Sequence, residues 1–249
     1  MKPAKEKAEI QLPDGGKLPK GAEIITYVAR NFEPYRGFDQ VMRSIEILMT
    51  QRPKAHFLMI GDDGVSYGAK LPEGKTYKER MLEELKLDSS RIHWFGKVSF
   101  DQYAQLLTNS MAHIYLTVPF VLSWSVLEAM SIGCPVVASN TSPLFEVIQD
   151  KENGLFADFF QPEDIAQKVS MLLDDTNLRD KISKNARKTI IQNYSIKKVL
   201  PMYEKLITSI ANGKIDKDIA MRLEPKNVER IIPKVKKTKK VRTMHKNSA

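Results

Sequence analysis

Cysteine is nearly absent: Cys134 is the only one in 249 residues. No internal disulfide can form, which sets aside the stapled secreted scaffolds and fits a reducing compartment. Histidine is scarce too. His56, His93, His113 and His245 are scattered, and with one cysteine to join them there is no zinc-type ligand spacing. Long apolar runs are missing. Nothing approaches the roughly 18 residues of a membrane span. The opening Met1-Lys-Pro-Ala-Lys-Glu-Lys7 lacks the apolar core of a signal peptide, so a cytoplasmic protein is expected. A basic body is missing as well. The formal net charge is +9, but from Gly213 to Ala249 twelve Lys/Arg face four Asp/Glu, which leaves the preceding chain nearly neutral. The high pI therefore describes the tail and does not argue for a nucleic-acid-binding fold.

What is present is ordinary for a globular domain. With 42% hydrophobic and 28% charged residues, the chain can bury a substantial core. Residues 1–21, rich in lysine, proline and glycine, read as a flexible lead-in. From there the pattern alternates. Apolar runs at Glu23–Ala29, Ala55–Ile60, Arg91–Phe95, Ala112–Val118 and Val136–Ser139 predict strands. Helical spacing at Phe38–Met49, Tyr77–Leu85, Asp101–Asn109 and Ser125–Ile132 predicts the helices between them. Three more helices are expected over Pro162–Leu173, Asn177–Asn193 and Ser195–Ala211, with Ser195 as an N-cap. Strands buried on both faces and joined by helices predict an α/β fold with a Rossmann-like parallel sheet, spanning residues 22–212. A basic tail over 213–249 is expected to be disordered or loosely helical. Parallel sheets place ligands beyond the carboxyl ends of their strands. This directs attention to Arg30–Gly37, Gly61–Gly68, Gly96–Ser99, Pro119–Glu128 and Ser139–Glu146.

Two of these segments carry chemistry. In Arg30-Asn-Phe-Glu-Pro-Tyr-Arg36-Gly37, two guanidinium groups sit beside the start of a helix, an arrangement suited to a diphosphate. Taken alone, two loop arginines describe a solvated surface equally well. In Pro119–Ser139, Glu128 follows the fourth strand, where a carboxylate can accept two ribose hydroxyls. The backbone N–H groups around Leu122–Ser125 can face a phosphate. Alone, Glu128 also fits a carboxylate that simply favours a helix start.

Together, and in order, these segments resemble the C-terminal domain of GT-B glycosyltransferases, in particular the retaining family called GT4, or glycosyl transferases group 1. The likeness runs from about Ile24 to Ile207. It rests on Ala29-Arg30, Arg36-Gly37, Gly61-Asp-Asp-Gly64, Phe95-Gly96-Lys97-Val98, Leu127-Glu128-Ala129-Met130, Gly133-Cys-Pro-Val-Val-Ala-Ser139 and Glu146-Val-Ile148. The resemblance implies transfer of a sugar from a nucleoside diphosphate with retention at the anomeric carbon. Arg30 and Arg36 would be the catalytic pair, with the helix start near Ser123, and would stabilise charge on the leaving diphosphate without a metal. Gly37, Lys97, Val98, Phe120, Leu122, Ser123, Ser125, Glu128 and Glu146 would bind the donor, with Lys97 and Val98 against the base.

Two positions depart from the family pattern. Phe120 stands where the family carries a glutamate that contacts the donor sugar, so stacking, Ser123 or Ser125 must supply that contact. Arg36 stands where the family has a lysine, which keeps the charge and adds a bidentate fork. Family members also carry an N-terminal Rossmann-like half that holds the acceptor. About twenty residues precede the first strand here, so the chain is expected to be half of an enzyme: a truncated or split product, or one that pairs with a separate N-terminal half. The alternative is a nucleotide-binding module without turnover. Other carboxylates and tyrosines stay open. Glu146 equally fits a helix start, Asp62-Asp63 a solvated turn rather than a metal pair, and Tyr67 and Tyr77 surface positions. The basic run from Lys234 to Lys240 would either give weak contact with anionic membrane or nucleic acid, or be a solvated tail.

Overall fold

The computed structural model describes residues 9–213. The first eight residues of the expected lead-in lie outside the described residues. So does the basic tail from residue 214, with its expected disorder and its lysine run. The described residues belong to two compact units, up to Val199 and from Leu200.

The first unit follows the order β1 (Glu23–Asn31), α1 (Phe38–Gln51), β2 (Ala55–Asp62), α2 (Tyr77–Glu84), β3 (Ile92–Gly96), α3 (Phe100–Asn109), β4 (Ala112–Tyr115), α4 (Trp124–Ile132), β5 (Val136–Ser139), β6 (Leu155–Ala157), α5 (Pro162–Asp174) and α6 (Thr176–Asn193). A last helix, α7 (Ile196–Ala211), begins here and runs into the second unit. The sheet order is β3-β2-β1-β4-β5-β6 and every pairing is parallel. β1 and β4 are neighbours although two strands separate them in sequence. The crossovers leave in opposite directions at this switch point, which opens a crevice at the carboxyl ends of the two strands.

The sheet is buried on both faces, as its apolar strands require. Along β5, Val137 belongs to one core with Val41, Ile45 and Leu48 of α1 and Ile165 and Val169 of α5. Its neighbours Val136 and Ala138 belong to a second core with Val126 and Met130 of α4 and Ala186 and Ile190 of α6. Each fully buried large aliphatic side chain contributes about 1.5–3 kcal/mol. β4 alternates in the same way. Ile114 and Leu116 face the α1 core, whereas Tyr115 faces the α4 core. α1 stops before Pro53, since the residue preceding a proline is pushed out of the helical region.

The strand expected to reach Val118 leaves the ladder at Tyr115. The Thr117 backbone bonds the Ser139 hydroxyl instead of the β5 backbone, and the Val118 N–H donates to the Tyr35 carbonyl oxygen of the β1–α1 turn at 3.2 Å. β6 was not expected, because three residues are too few to show a period. Residues 9–17, expected to be flexible, are folded. Gln11 and Lys17 form an antiparallel bridge around the Pro13-Asp-Gly-Gly16 turn, and Ile10 and Leu12 are buried against Leu58, Ile60 and Leu106. Apolar residues alternating before a glycine-rich turn are a hairpin signal.

Candidate functional site

The site is built around Gly37. This residue caps the start of α1 with φ +67°, and an added Cβ would lie 2.6 Å from the Leu116 Cβ. Only glycine tolerates that backbone and that approach. The β1–α1 turn therefore lies directly on the end of β4. Further bonds clamp it: the Tyr27 hydroxyl donates to the Arg36 carbonyl oxygen at 2.9 Å, and Val118 bonds Tyr35. As a result Arg36 reaches across the switch point, and its Nη1 donates to the Thr117 Oγ1 at 3.0 Å. Eighty-one residues separate these partners.

The second wall is the start of α4. The N-cap is Ser123, whose hydroxyl accepts from the Ser125 N–H and lies 2.9 Å from the Ser125 hydroxyl. A helix start has about four N–H groups without an intrahelical partner, and Ser123 takes one of them. Between Arg36 and this helix start stands Tyr115. It is 3% exposed, and its hydroxyl lies close to the Arg36 guanidinium and to both the hydroxyl and the backbone of Ser123. It is aligned for a hydrogen bond with none of them. Burial pushes the phenol pKa upwards, outweighing the opposing pull of Ser123 and Arg36, so the group is a neutral O–H donor at physiological pH. Leaving such a hydroxyl unpaired costs about 1–3 kcal/mol.

Glu128 lies one turn further along α4, half-buried, three residues from Ser125 and thus on the same side of the helix. The Tyr103 hydroxyl of α3 is buried near it, again without a completed hydrogen bond. Burial and the neighbouring carboxylate both raise the Tyr103 pKa, so this phenol too stays protonated.

The opposite rim is held by Glu33, which is buried at 1% exposure. Its Oε2 accepts the N–H groups of Ser66, Tyr67 and Gly68 at 3.2, 3.0 and 2.9 Å, tying the β2–α2 loop to the β1–α1 turn. That loop carries Tyr67. The Arg36 guanidinium carbon sits 5.7 Å from the centre of the Tyr67 ring, and the Phe120 ring is 5.5 Å away. Both rings are about half exposed. A hollow of about 220 Å³ opens nearby, lined by Pro119, Asn140, Thr141, Asp158 and Phe160 among others.

The structure thus brings together Arg36, Gly37, Ser123 and Ser125, with Phe120 above Tyr67 and Glu128 further along the same helix. The remaining candidates make other contacts or none. Arg30 is exposed at the end of β1, and its side chain makes no hydrogen bond, ion pair or ring contact with a described residue. Lys97 pairs with Asp62 at 2.8 Å on the surface, and this lysine holds the Asp62 carboxyl below its usual range. Val98 and Leu122 are partly buried against the cores. Glu146 is exposed and lies beside Tyr194, whose phenol it helps to push up after burial. Asp63 pairs with Lys78 at 3.2 Å, so both carboxylates of the Asp62-Asp63 turn are held by lysines. Tyr77 is buried, its hydroxyl donating to the Ala69 carbonyl oxygen. Among the described residues no three His, Cys, Asp or Glu converge in a metal-like group. No helix among them is long and apolar enough to cross a membrane.

Glu33, Tyr115 and Thr117 escaped the sequence reading. Tyr115 and Thr117 sit in an apolar run and read as core. Glu33 carries no local sign that its partners are thirty-three residues away.

A six-stranded parallel sheet with this order, flanked by helices, is the Rossmann-like C-terminal half of a GT-B fold. The Anabaena protein HepE, in complex with UDP-glucose, matches it with a TM-score of 0.65 at 18% identity, over 76% of this chain and 49% of that one. The C-terminal domain of a glycosyl transferase group 1 family protein from Francisella tularensis gives 0.65 at 22% identity, over 78% of this chain and 96% of that one. The family model for Glycosyl transferases group 1 matches residues 10–189, and the chain belongs to that family. Among curated relatives, N,N'-diacetylbacillosaminyl-diphospho-undecaprenol alpha-1,3-N-acetylgalactosaminyltransferase of Campylobacter jejuni is 29% identical, over 75% of this chain and 46% of its own length. N-acetyl-alpha-D-glucosaminyl L-malate synthase of Bacillus anthracis is 23% identical, over 80% of this chain and 49% of its own length. The chain spans about half the length of the curated relatives it matches.

Proposed function

We propose that this chain is the donor-binding half of a retaining glycosyltransferase that uses a nucleoside diphosphate sugar and acts with an N-terminal acceptor half. The observation that carries this reading is the convergence of Arg36, the Ser123 helix start and Tyr115 at the β1/β4 crevice. When the glycosidic bond breaks, negative charge gathers on the leaving diphosphate. A fixed guanidinium and oriented N–H groups stabilise that charge without reorganising. Thr117 and the backbone clamps on Tyr35 and Arg36 keep Arg36 in place before a ligand arrives. Glu128, a turn away, is the candidate acceptor for the ribose hydroxyls. In this reading charge stabilisation is the work of the protein's own groups, with no metal required. UDP-glucose in the Anabaena relative makes a uridine nucleotide the first donor to test.

The test is calorimetry with UDP, GDP and the matching nucleosides. Arg36→Ala is expected to weaken the diphosphate far more than the nucleoside. Equal losses for the two ligands would remove the phosphate role. One observation favours a binding module without turnover: Phe120 presents a ring, and no hydroxyl acceptor, where the family pattern has a glutamate. Sugar transfer that appears only when an N-terminal half is added supports the enzyme. Binding with no transfer in either case supports the module.

A further inference from the structure

We propose that the Tyr115 hydroxyl is itself a ligand of the donor diphosphate, donating to a phosphate oxygen held by Arg36. The inference rests on the donor-binding reading and adds a contact to it. Three observations carry it. First, the hydroxyl is buried and unpartnered. A phenol in a packed core normally finds an acceptor, and one left without it marks a place where something else completes the bond. Second, no neighbour is aligned to receive its proton. Arg36 can only donate, and the Ser123 Oγ, which accepts from the Ser125 N–H and shares a bond with the Ser125 hydroxyl, is not aligned to take it. The chain therefore supplies no acceptor for this proton. Third, the surrounding groups all suit an oxygen anion: a guanidinium fixed by Thr117 and the first turn of a nine-residue helix. An oxygen placed among them accepts from Arg36, from the helix start and from Tyr115 at once. The arrangement follows from the pleat of β4, which turns Tyr115 towards α4 while Leu116 turns to meet Gly37.

The experiment is Tyr115→Phe in the full chain, which removes one oxygen and leaves the ring. UDP, GDP, uridine and guanosine binding are measured by calorimetry, and stability by urea denaturation. The expected result is a loss of about tenfold or more in affinity for the diphosphate that the wild type binds, the usual effect of deleting a hydrogen bond to a charged group. Nucleoside affinity stays unchanged, and the urea midpoint is equal to or above that of the wild type, because an unpaired buried hydroxyl has gone. Unchanged diphosphate affinity overturns the proposal alone. A lower urea midpoint with parallel losses for diphosphate and nucleoside also overturns it, since the hydroxyl is then structural. If the wild type binds neither UDP nor GDP, the donor-binding reading falls and takes this contact with it.

Discussion

Replacing Gly37 by alanine tests whether the β1–α1 turn docks on β4 as the site requires. Two costs add at this position. The backbone sits at φ +67°, where an L side chain costs about 1–2 kcal/mol. The new Cβ would lie 2.6 Å from the Leu116 Cβ and 2.7 Å from its Cδ1, inside the core of a central strand. Overpacking of that kind costs about 1–3 kcal/mol. The sum is about 2–5 kcal/mol, a large fraction of a typical domain's stability. Gly96 supplies the control. Its φ is +61°, almost the same, but nothing lies within 4 Å of an added Cβ. Gly96→Ala should therefore show the backbone cost alone, about 1–2 kcal/mol. Urea denaturation of both variants separates the two contributions. The docked turn also carries Arg36, so relief of the clash by moving the turn draws the guanidinium away from Thr117. Gly37→Ala should then lose diphosphate affinity even under conditions where it is folded. The reasoning fails if Gly37→Ala is no less stable than Gly96→Ala, because Leu116 would not then be in contact with the turn.

Three other outcomes are expected. Glu33→Gln replaces a carboxylate that receives three backbone N–H groups with a neutral amide, and should cost about 1.5–3 kcal/mol. Hydrogen exchange at Ser66–Gly68 should quicken with it, and unchanged protection there would refute the anchoring role. Stability should fall as pH drops from 6.5 towards 4. Burial lowers the His113 pKa to about 4, and it also lowers those of His56 and His93, so the unfolded chain takes up protons that the folded chain refuses. His113 alone is worth about 3 kcal/mol across that window. Urea midpoints that stay level between pH 7 and 4.5 would contradict this. Glu128→Ala should weaken UDP and uridine alike by about 1–3 kcal/mol, since the ribose is common to both. A loss confined to the diphosphate would assign Glu128 elsewhere.

Much of the fold is legible in the chain because strands buried on both faces must be continuously apolar. Ala55–Ile60 and Val136–Ser139 show this directly, and their helices show the 3.6-residue period. β6 is too short to carry either signal. The hairpin over residues 9–17 is visible in its turn chemistry, but the lysines and glycines around it masked the two buried apolar residues. The site is divided in the same way. Arg36, Gly37, Ser123 and Glu128 announce themselves by charge, by glycine at a helix start and by position after a strand. Tyr115 does not, because a tyrosine in an apolar run is core by default.

The linear chain alone determined the alternation of strand and helix, the concentration of the net positive charge in the tail and the ordered family signature, all of which depend on residues near one another. Only the folded state decided which of those residues meet. The 3-2-1-4-5-6 order sets β4 beside β1, a close glycine contact brings Arg36 across to Thr117, and the pleat of β4 turns one phenol towards α4. Those contacts join residues about eighty positions apart, and no local pattern encodes them, because packing across the sheet is what brings them together.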